Sequence, residues 1–404
     1  MAHTDSVDST ALVSTELPAP PPRKAAGLLK FKGSGQFQAE LKRRVDAYFV
    51  ETGLPRRGNW QIWLKAIIIL ATLAASYLTL LFVVQNWWQA GLVSILMGFA
   101  IAGVGLNIQH DGGHNAFSER GWVNKLMAYT LDLIGGSSYQ WHWKHGVLHH
   151  TYTNITGHDT DIELGALGRL SPHQPRYWFH RFQHIYVWFL YCLMAVKWHL
   201  VDDYVEMARG KLGGNPVPRP RGWNLFFFFF GKAFFLTVAF VIPMLFHPVL
   251  VVLACYAIAA SVVGISLAVV FQLAHCVEEA EFPMPVGDPE YMAGAWAVHQ
   301  VETTADFGRN NPVLCWLVGG LNFQIEHHLL PKICHIHFPA LSKIVEKLCA
   351  EHGITYHEHK SFAAGIGSHY RWLKFLGKPA KVTAHDDNHG GGASLMPGKE
   401  MTPA

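Results

Sequence analysis

The chain has 404 residues, 50% of them hydrophobic and only 15% charged, with a formal net charge of +3. That charged fraction, well below the roughly 25% usual in soluble domains, excludes an ordinary soluble protein and points to a membrane protein. The small net charge, with no basic block interleaved with aromatics, gives no footing for a nucleic-acid partner.

In chain order, residues 1–36 are polar and proline-rich (Pro18, Pro20, Pro21, Pro22) and are expected to be a disordered tail. A single membrane domain is expected over residues 37–376, followed by a Gly-rich disordered tail over 377–404. No secretory signal precedes the first long apolar run near Ile62, so the first span must itself direct insertion. Phe37–Val50, with Lys42, Arg43 and Arg44, reads either as an amphipathic helix on an anionic membrane surface or as a solvated helix.

Crossing the ~30 Å hydrocarbon layer takes about 20 apolar residues. Four runs qualify: Ile62–Val84, Trp87–Ile108, Leu225–Phe246 and Val249–Ala274. The links Gln85-Asn86 and His247-Pro248 lack Lys and Arg, whereas Arg56, Arg57, Arg209, Lys211, Arg219 and Arg221 flank the opposite ends. The positive-inside rule makes those basic ends, and both termini, cytoplasmic. Lys65 is near enough to its span's end to snorkel, while Lys232 lies too deep and has no account from sequence.

Leu126–Ile134 is too short to span and is interrupted by Asp132. Ile185–Val196 has the length of an interfacial or core helix. If histidines before residue 150 and after 275 share one site, an even number of spans separates them, so Ile185–Val196 is expected on the membrane rather than through it. The last span is longer than needed and should project His275 into the cytoplasm, where His110 also emerges. The six cysteines (Cys192, Cys255, Cys276, Cys315, Cys334, Cys349) form no Cys-x-x-Cys pair and are expected to be reduced and mostly buried.

The densest motif is His145-Gly146-Val147-Leu148-His149-His150. On an α-helix His145 and His149 share a face, roughly 40° apart, whereas His149 and His150 diverge by about 100°. Adjacent histidines therefore suit two metal ions better than one. The companions are His110-Asp111-Gly112-Gly113-His114, His275 and Gln324-Ile325-Glu326-His327-His328. Together His110, His114, His145, His149, His150, His275, His327 and His328 give eight nitrogens, enough for two ions with open positions, and Gln324 adds an oxygen directly or through water. His275 rests on position alone, and a lone histidine at a helix end is more often hydrogen-bonded than metal-bound.

Imidazole suits zinc, copper and iron. The His-Glu-x-x-His of zinc proteases and the Glu-x-x-His of carboxylate di-iron bundles are both absent. An all-imidazole pair with open positions, held against a membrane, points to two Fe ions and dioxygen chemistry on an apolar substrate. The expected fold is all-α and polytopic, with four transmembrane helices, interfacial helices and a cytoplasmic helical cap holding the di-iron site. Asp111 and Glu326 either orient ligand imidazoles through hydrogen bonds or serve as caps, with Asn154, Asp159 and Asp161 weaker candidates for orienting. His142, His158, His335 and His337 fall outside the pattern and are not expected to ligate. Tyr139, Trp141 and Trp143 line a substrate tunnel or anchor at the interface, and Phe226–Phe230 reads as lipid-facing or packing surface.

The three boxes HDGGH, HGVLHH and QIEHH, with the extra histidine of Phe271-Gln272-Leu273-Ala274-His275, resemble the membrane fatty acid desaturase family from about residue 60 to 350. Gln324 in the first position of the third box resembles the front-end subgroup, which desaturates between an existing double bond and the carboxyl end. The resemblance implies oxygen-dependent insertion of a cis double bond into an acyl chain carried on coenzyme A or a lipid. It also implies a tunnel whose depth and bend select the carbons. Eukaryotic front-end enzymes carry a fused N-terminal haem domain of cytochrome type. Here only His3 precedes the first span and no His-Pro-Gly-Gly occurs, so no haem is expected on this chain. Electrons are expected from a separate ferredoxin or free cytochrome. Arg176, Arg181, Lys332, Lys343 and Lys347 are candidates for meeting an acidic donor, or simply solvated or lipid-facing charges. A bacterial inner membrane is favoured over the endoplasmic reticulum. The rival readings are a lipid hydroxylase with the same metal pair, and a metal transporter, whose ligands would lie near the bilayer midplane.

Overall fold

A computed structural model describes residues 29–379. Among them the chain is mostly helical; strand pairing is confined to two two-residue pairs, Lys211–Leu212 with Asn215–Pro216 and Asp306–Phe307 with Glu358–His359, and three isolated bridges. Helix α1 (Gln36–Thr52) buries Phe37, Leu41, Val45 and Phe49 at fourfold spacing. These pack with residues of a later helix, Phe338–Glu351, so protein rather than lipid covers the apolar stripe.

Five helices are long and apolar enough to cross a membrane: α2 (Trp60–Phe82), α3 (Trp87–Gly113), α5 (Trp178–Arg209), α6 (Trp223–Met244) and α7 (Val249–His275). Asn59 caps α2 by accepting the Gln61 N–H at 2.8 Å, and Asn86 with Gln89 forms a capping box on α3. The third candidate exceeds the expected Ile185–Val196 because the helix runs on through Trp198–Asp202 for 32 residues in all. It is the least apolar of the five, with a mean hydropathy of 1.3 against 2.0 to 2.4. Helix α7 is central, with α3 on one side and α5 on the other. Two glycines permit this. A Cβ at Gly264 would sit 2.4 Å from the Tyr191 carbonyl oxygen of α5, and one at Gly98 of α3 would sit 2.8 Å from that of Ala259. Along the same helices Ile67, Leu78, Leu92, Phe99 and Leu250 stay exposed, as lipid-facing side chains do. Phe226, Phe229 and Phe230 are exposed in the same way while Phe228 is buried.

Neither intramembrane lysine snorkels. Lys65 is buried, its Nζ 3.1 Å from His335 Nε2. Lys232 Nζ donates to Asp203 Oδ2 at 2.5 Å and to the Gly135 carbonyl at 2.6 Å, and Asp203 also accepts from Trp198 Nε1 at 3.0 Å. A buried charge persists only when paired and hydrogen-bonded. The partner that explains Lys232 lies 29 residues away on α5, where no local pattern could show it.

The expected tails fall mostly at 1–28 and 380–404, outside the described residues. Residues 29–33, at the end of the expected N-terminal tail, are tied down. Phe31 pairs in parallel with Met292, the Lys32 N–H donates to the Met292 carbonyl at 3.0 Å, the Gly33 N–H donates to Gly294 at 3.1 Å, and Leu29 is buried with Tyr152. Backbone bonds to a turn some 260 residues away leave no periodicity in sequence.

The buried pair gives a stability test. Lys232→Met leaves the Asp203 carboxylate buried alone and should cost about 3–5 kcal/mol. The thermal midpoint of the detergent-solubilised variant checks this, and the double variant Lys232→Met/Asp203→Leu should recover most of the loss.

Candidate metal centre

The first two boxes lie on helices with locally widened turns. In α3 the stretch Val104–Gln109 is π-helical, each N–H reaching five residues back, and the helix closes at His110–Gly113 with His114 as its cap. In helix α4 (residues 138–152) the stretch His142–His149 is widened in the same way. Such widening is typical of functional positions. Here it brings residue i+5 onto the face of residue i. His145 therefore meets both His149 (ring centroids 5.1 Å apart) and His150 (Nε2 to Nε2 3.3 Å), where a regular α-helix would turn one of the two away. His275 is the last residue of α7, and His327 and His328 lie on α9 (Gln324–Leu329), with α8 (Trp296–Glu302) between them in sequence.

All eight imidazoles are buried and converge. His110, His114, His145 and His327 each offer a ring nitrogen within 4.8 Å of the others, and His149, His275 and His328 form a second such group. His150 links the two through His327 and His328. In the second group each Nδ1 has an acceptor: His149 at 3.0 Å from Asp159 Oδ2, His275 at 3.3 Å from the Thr303 carbonyl, and His328 at 2.8 Å from Gln300 Oε1. Each Nε2 in that group has no protein partner, and the same is true of His114 and His327. Leaving one buried polar atom unsatisfied costs about 1–3 kcal/mol. Several such nitrogens facing one another are what a bound cation satisfies, so the donor set fits a metal centre.

Electrostatics favour ligation as well. Burial, followed by the neighbouring histidines, holds His145, His150, His327 and His328 well below the usual imidazole range, and burial brings His114 to about 3. These rings are neutral at pH 7, the form that binds metal without first releasing a proton. His149 is the exception: burial opposes its charge, but the Asp159 carboxylate wins and raises it. Gln324, fully buried one turn before His328, has both amide atoms unpartnered.

The two carboxylates within the boxes do not reach a box imidazole. Asp111 accepts from His335 Nδ1 at 2.9 Å and from Cys334 Sγ at 3.1 Å. Glu326 accepts from the Tyr356 hydroxyl at 3.0 Å. A residue adjacent in a helix to a ligand projects off the ligand's face. The carboxylates that do reach the rings come from the loop after the second box, Asp159 on His149 and Asp161 at 3.4 Å from His145 Nδ1. Asn154 makes that return possible. It takes a left-handed turn (φ 59°), and its amide donates to the carbonyls of His275 (2.9 Å), Glu281 (3.0 Å) and Thr303 (3.2 Å). Its asparagine turn signal sat in plain sight directly after the second box.

Of the three aromatic candidates, only Trp141 touches the cluster, its ring 4.8 Å from His145 and 5.1 Å from His114. A Cβ at Gly113 would lie 2.2 Å from that ring, which accounts for the glycine in the first box. Tyr139 donates to the Pro218 carbonyl at 2.8 Å, and Trp143 packs with Leu29 and Tyr152. His142, His158, His335 and His337 join neither imidazole group. The residues that sequence reasoning missed are on α8 and just after it: Trp296 Nε1 donates to the His150 carbonyl at 3.1 Å, His299 Nε2 to that of Thr153 at 2.9 Å, and Gln300 and Thr303 hold His328 and His275.

Apolar helices of membrane length, two of them leading into a buried all-imidazole donor set that fits a metal, define the class as a membrane protein with a histidine-built site. Residues 85–360 match the family model described as fatty acid desaturase. The chain is 40% identical over 344 residues to an sn-1 linoleoyl-lipid 6-desaturase of Arthrospira platensis, covering 84% of this chain and 92% of that one. It is 37% identical over 351 residues to the protein of the same name in Synechocystis sp. (87% and 98% covered), and 36% identical over 349 residues to an acyl-lipid (8-3)-desaturase of Physcomitrium patens (84% and 72% covered). The chain belongs to the fatty acid desaturase family and is an oxidoreductase of that family.

Asp159→Asn removes the charge behind His149 and should weaken metal binding about 10–100-fold. Metal retained per chain after dialysis against a graded chelator series measures it.

Proposed function

We propose that this protein is an oxygen-dependent front-end acyl-lipid desaturase. It inserts a cis double bond between an existing double bond and the carboxyl end of a lipid-borne acyl chain. The observation that carries the reading is the convergence of eight buried imidazoles, five of which (His114, His149, His275, His327 and His328) turn an Nε2 inward with no partner among the described residues. The names of the relatives, two of which specify an already unsaturated lipid-borne group and position 6, support the substrate class over an acyl-coenzyme A.

His110, His114, His145, His149, His150, His275, His327 and His328 would hold two irons, with Gln324 adding an amide oxygen directly or through water. Bound iron supplies the reduction of dioxygen and the oxidising power to take two hydrogens from adjacent carbons. The chain does the rest. Asp159, Asp161, Gln300 and the Thr303 carbonyl fix ring orientation through Nδ1. Trp141 walls the cluster, and burial keeps bulk water from the reacting carbons. Between α2, α3, α6 and α7 lies a cavity of about 580 Å³ lined by Leu73, Met97, Ile134, Phe235 and Val263 among others, apolar enough to take hydrocarbon.

The same convergence bears on topology. Residues 145–150 meet His275 and His327, so an even number of crossings separates residue 150 from 275. Three membrane-length helices lie in that interval, so on this reading one of them does not cross. Helix α5, the least apolar and the bearer of Lys197, Asp202, Asp203 and Glu206, is that one. Four spans result, with the cluster and both termini on the cytoplasmic side by the placement of the basic residues. The relatives in Arthrospira and Synechocystis support a bacterial membrane. A separate ferredoxin or free cytochrome delivers electrons at exposed Lys332, Lys343 and Lys347, with Arg176 and Arg181 as further candidates.

Expression in a host lacking polyunsaturated lipids, fed linoleate, should yield a new double bond on the carboxyl side, located by mass spectrometry. A hydroxylated product, or activity surviving His149→Ala/His327→Ala, would overturn the reading. For topology, a membrane-impermeant thiol reagent added outside intact cells should label Asn86→Cys and spare Lys332→Cys, both in a background freed of native cysteines.

A further inference from the structure

Helix α8 carries no box histidine, yet much of the second imidazole group hangs on it. Gln300 is its most buried polar residue, with no exposed surface. Its Oε1 lies 2.8 Å from His328 Nδ1, and the Thr153 hydroxyl shares its single proton between that oxygen (2.9 Å) and the His149 carbonyl (2.7 Å). We propose that Gln300 is a positioning residue that holds His328 in its Nδ1–H tautomer, presenting Nε2 to the metal, and that ties the third box to the second through Thr153.

The argument is one of donors and acceptors. In this orientation the amide oxygen only accepts, and the Thr153 oxygen 3.3 Å from the same ring nitrogen has its proton directed elsewhere, so Nδ1 carries the proton. In a neutral imidazole the other nitrogen then has its lone pair free, and His328 Nε2 is without a protein partner. With the amide turned over, its NH2 would face Nδ1, the proton would move to Nε2, and that ligand position would close. Gln300 differs from the other two acceptors in its group. Asp159 brings a full charge and Thr303 offers backbone, so Gln300 is the neutral side chain through which the basicity of one ligand can be changed without moving the main chain.

This rests on the metal reading above, and the test separates the two. Wild type, Gln300→Leu and Gln300→Glu are purified anaerobically and loaded with ferrous iron; affinity is read from iron retained against a chelator series, electronic environment from the ferrous Mössbauer spectrum, and folding from helix content by circular dichroism. Gln300→Leu should bind iron about 10–100-fold more weakly at unchanged helix content. Gln300→Glu keeps an acceptor in place and should restore retention, with a shifted spectrum because a charge now stands behind His328. A purely structural role would move neither spectrum nor retention in Gln300→Glu. Wild-type retention and spectrum in Gln300→Leu would overturn the proposal, as would a wild-type spectrum in Gln300→Glu should the Leu variant not fold. A wild-type protein that retains no iron would instead sink the metal reading.

Discussion

The structure depends on one constraint: ring nitrogens taken out of water and left facing one another must be satisfied together or not at all. Burial holds most imidazoles of the boxes neutral, Asp159 working against it at His149, and their convergence leaves Nε2 of His149, His275 and His328 without a partner among the described residues. Everything around the cluster arranges for that. The widened turns of α3 and α4 bring more histidines to one face than a regular helix offers, and α7 ends at the residue that completes the second group. The loop after the second box then folds back to put Asp159 behind His149. A lone change in this set leaves other nitrogens stranded, so the cluster behaves as a unit.

A second buried polar system runs through the membrane-length helices. Lys65 meets His335, which meets Asp111 beside His110, while Lys232 meets Asp203 and the Gly135 carbonyl just before the second box. Each charge is paired across elements far apart in sequence. These pairs tie α2 and α6 to the segments that carry the first two boxes, so the membrane-length helices hold the box imidazoles in register.

The sequence was informative where chemistry repeats locally and silent where it is assembled at long range. The three boxes, His275 and the apolar runs stand out because spacing and run length carry them, and the family assignment follows from them. Asp111 and Glu326 looked attractive because they sit beside ligands, yet that adjacency turns them to another face. Asp159 ranks only as a weaker candidate in sequence because the turn at Asn154, which shows where it points, is visible only in the fold. The length of α5 was hidden because His199, Asp202 and Asp203 interrupt its apolar pattern, while Asp203 is neutralised by a lysine that sequence could not place. Gln300 had no signal except being a polar residue in a short helix with Ala297 and Val301 in the core.

The pairing of Phe31 with Met292 also fixes where the first described residues sit. Residues 29–33 lie beside the start of α8, with the Phe31 ring 5.1 Å from that of His299 and the Tyr152 hydroxyl donating to the Leu29 carbonyl. A carrier module spliced ahead of residue 29 would thus be leashed from a point close to the metal ligands, and its local concentration there would be set by linker length instead of by its abundance in the cell.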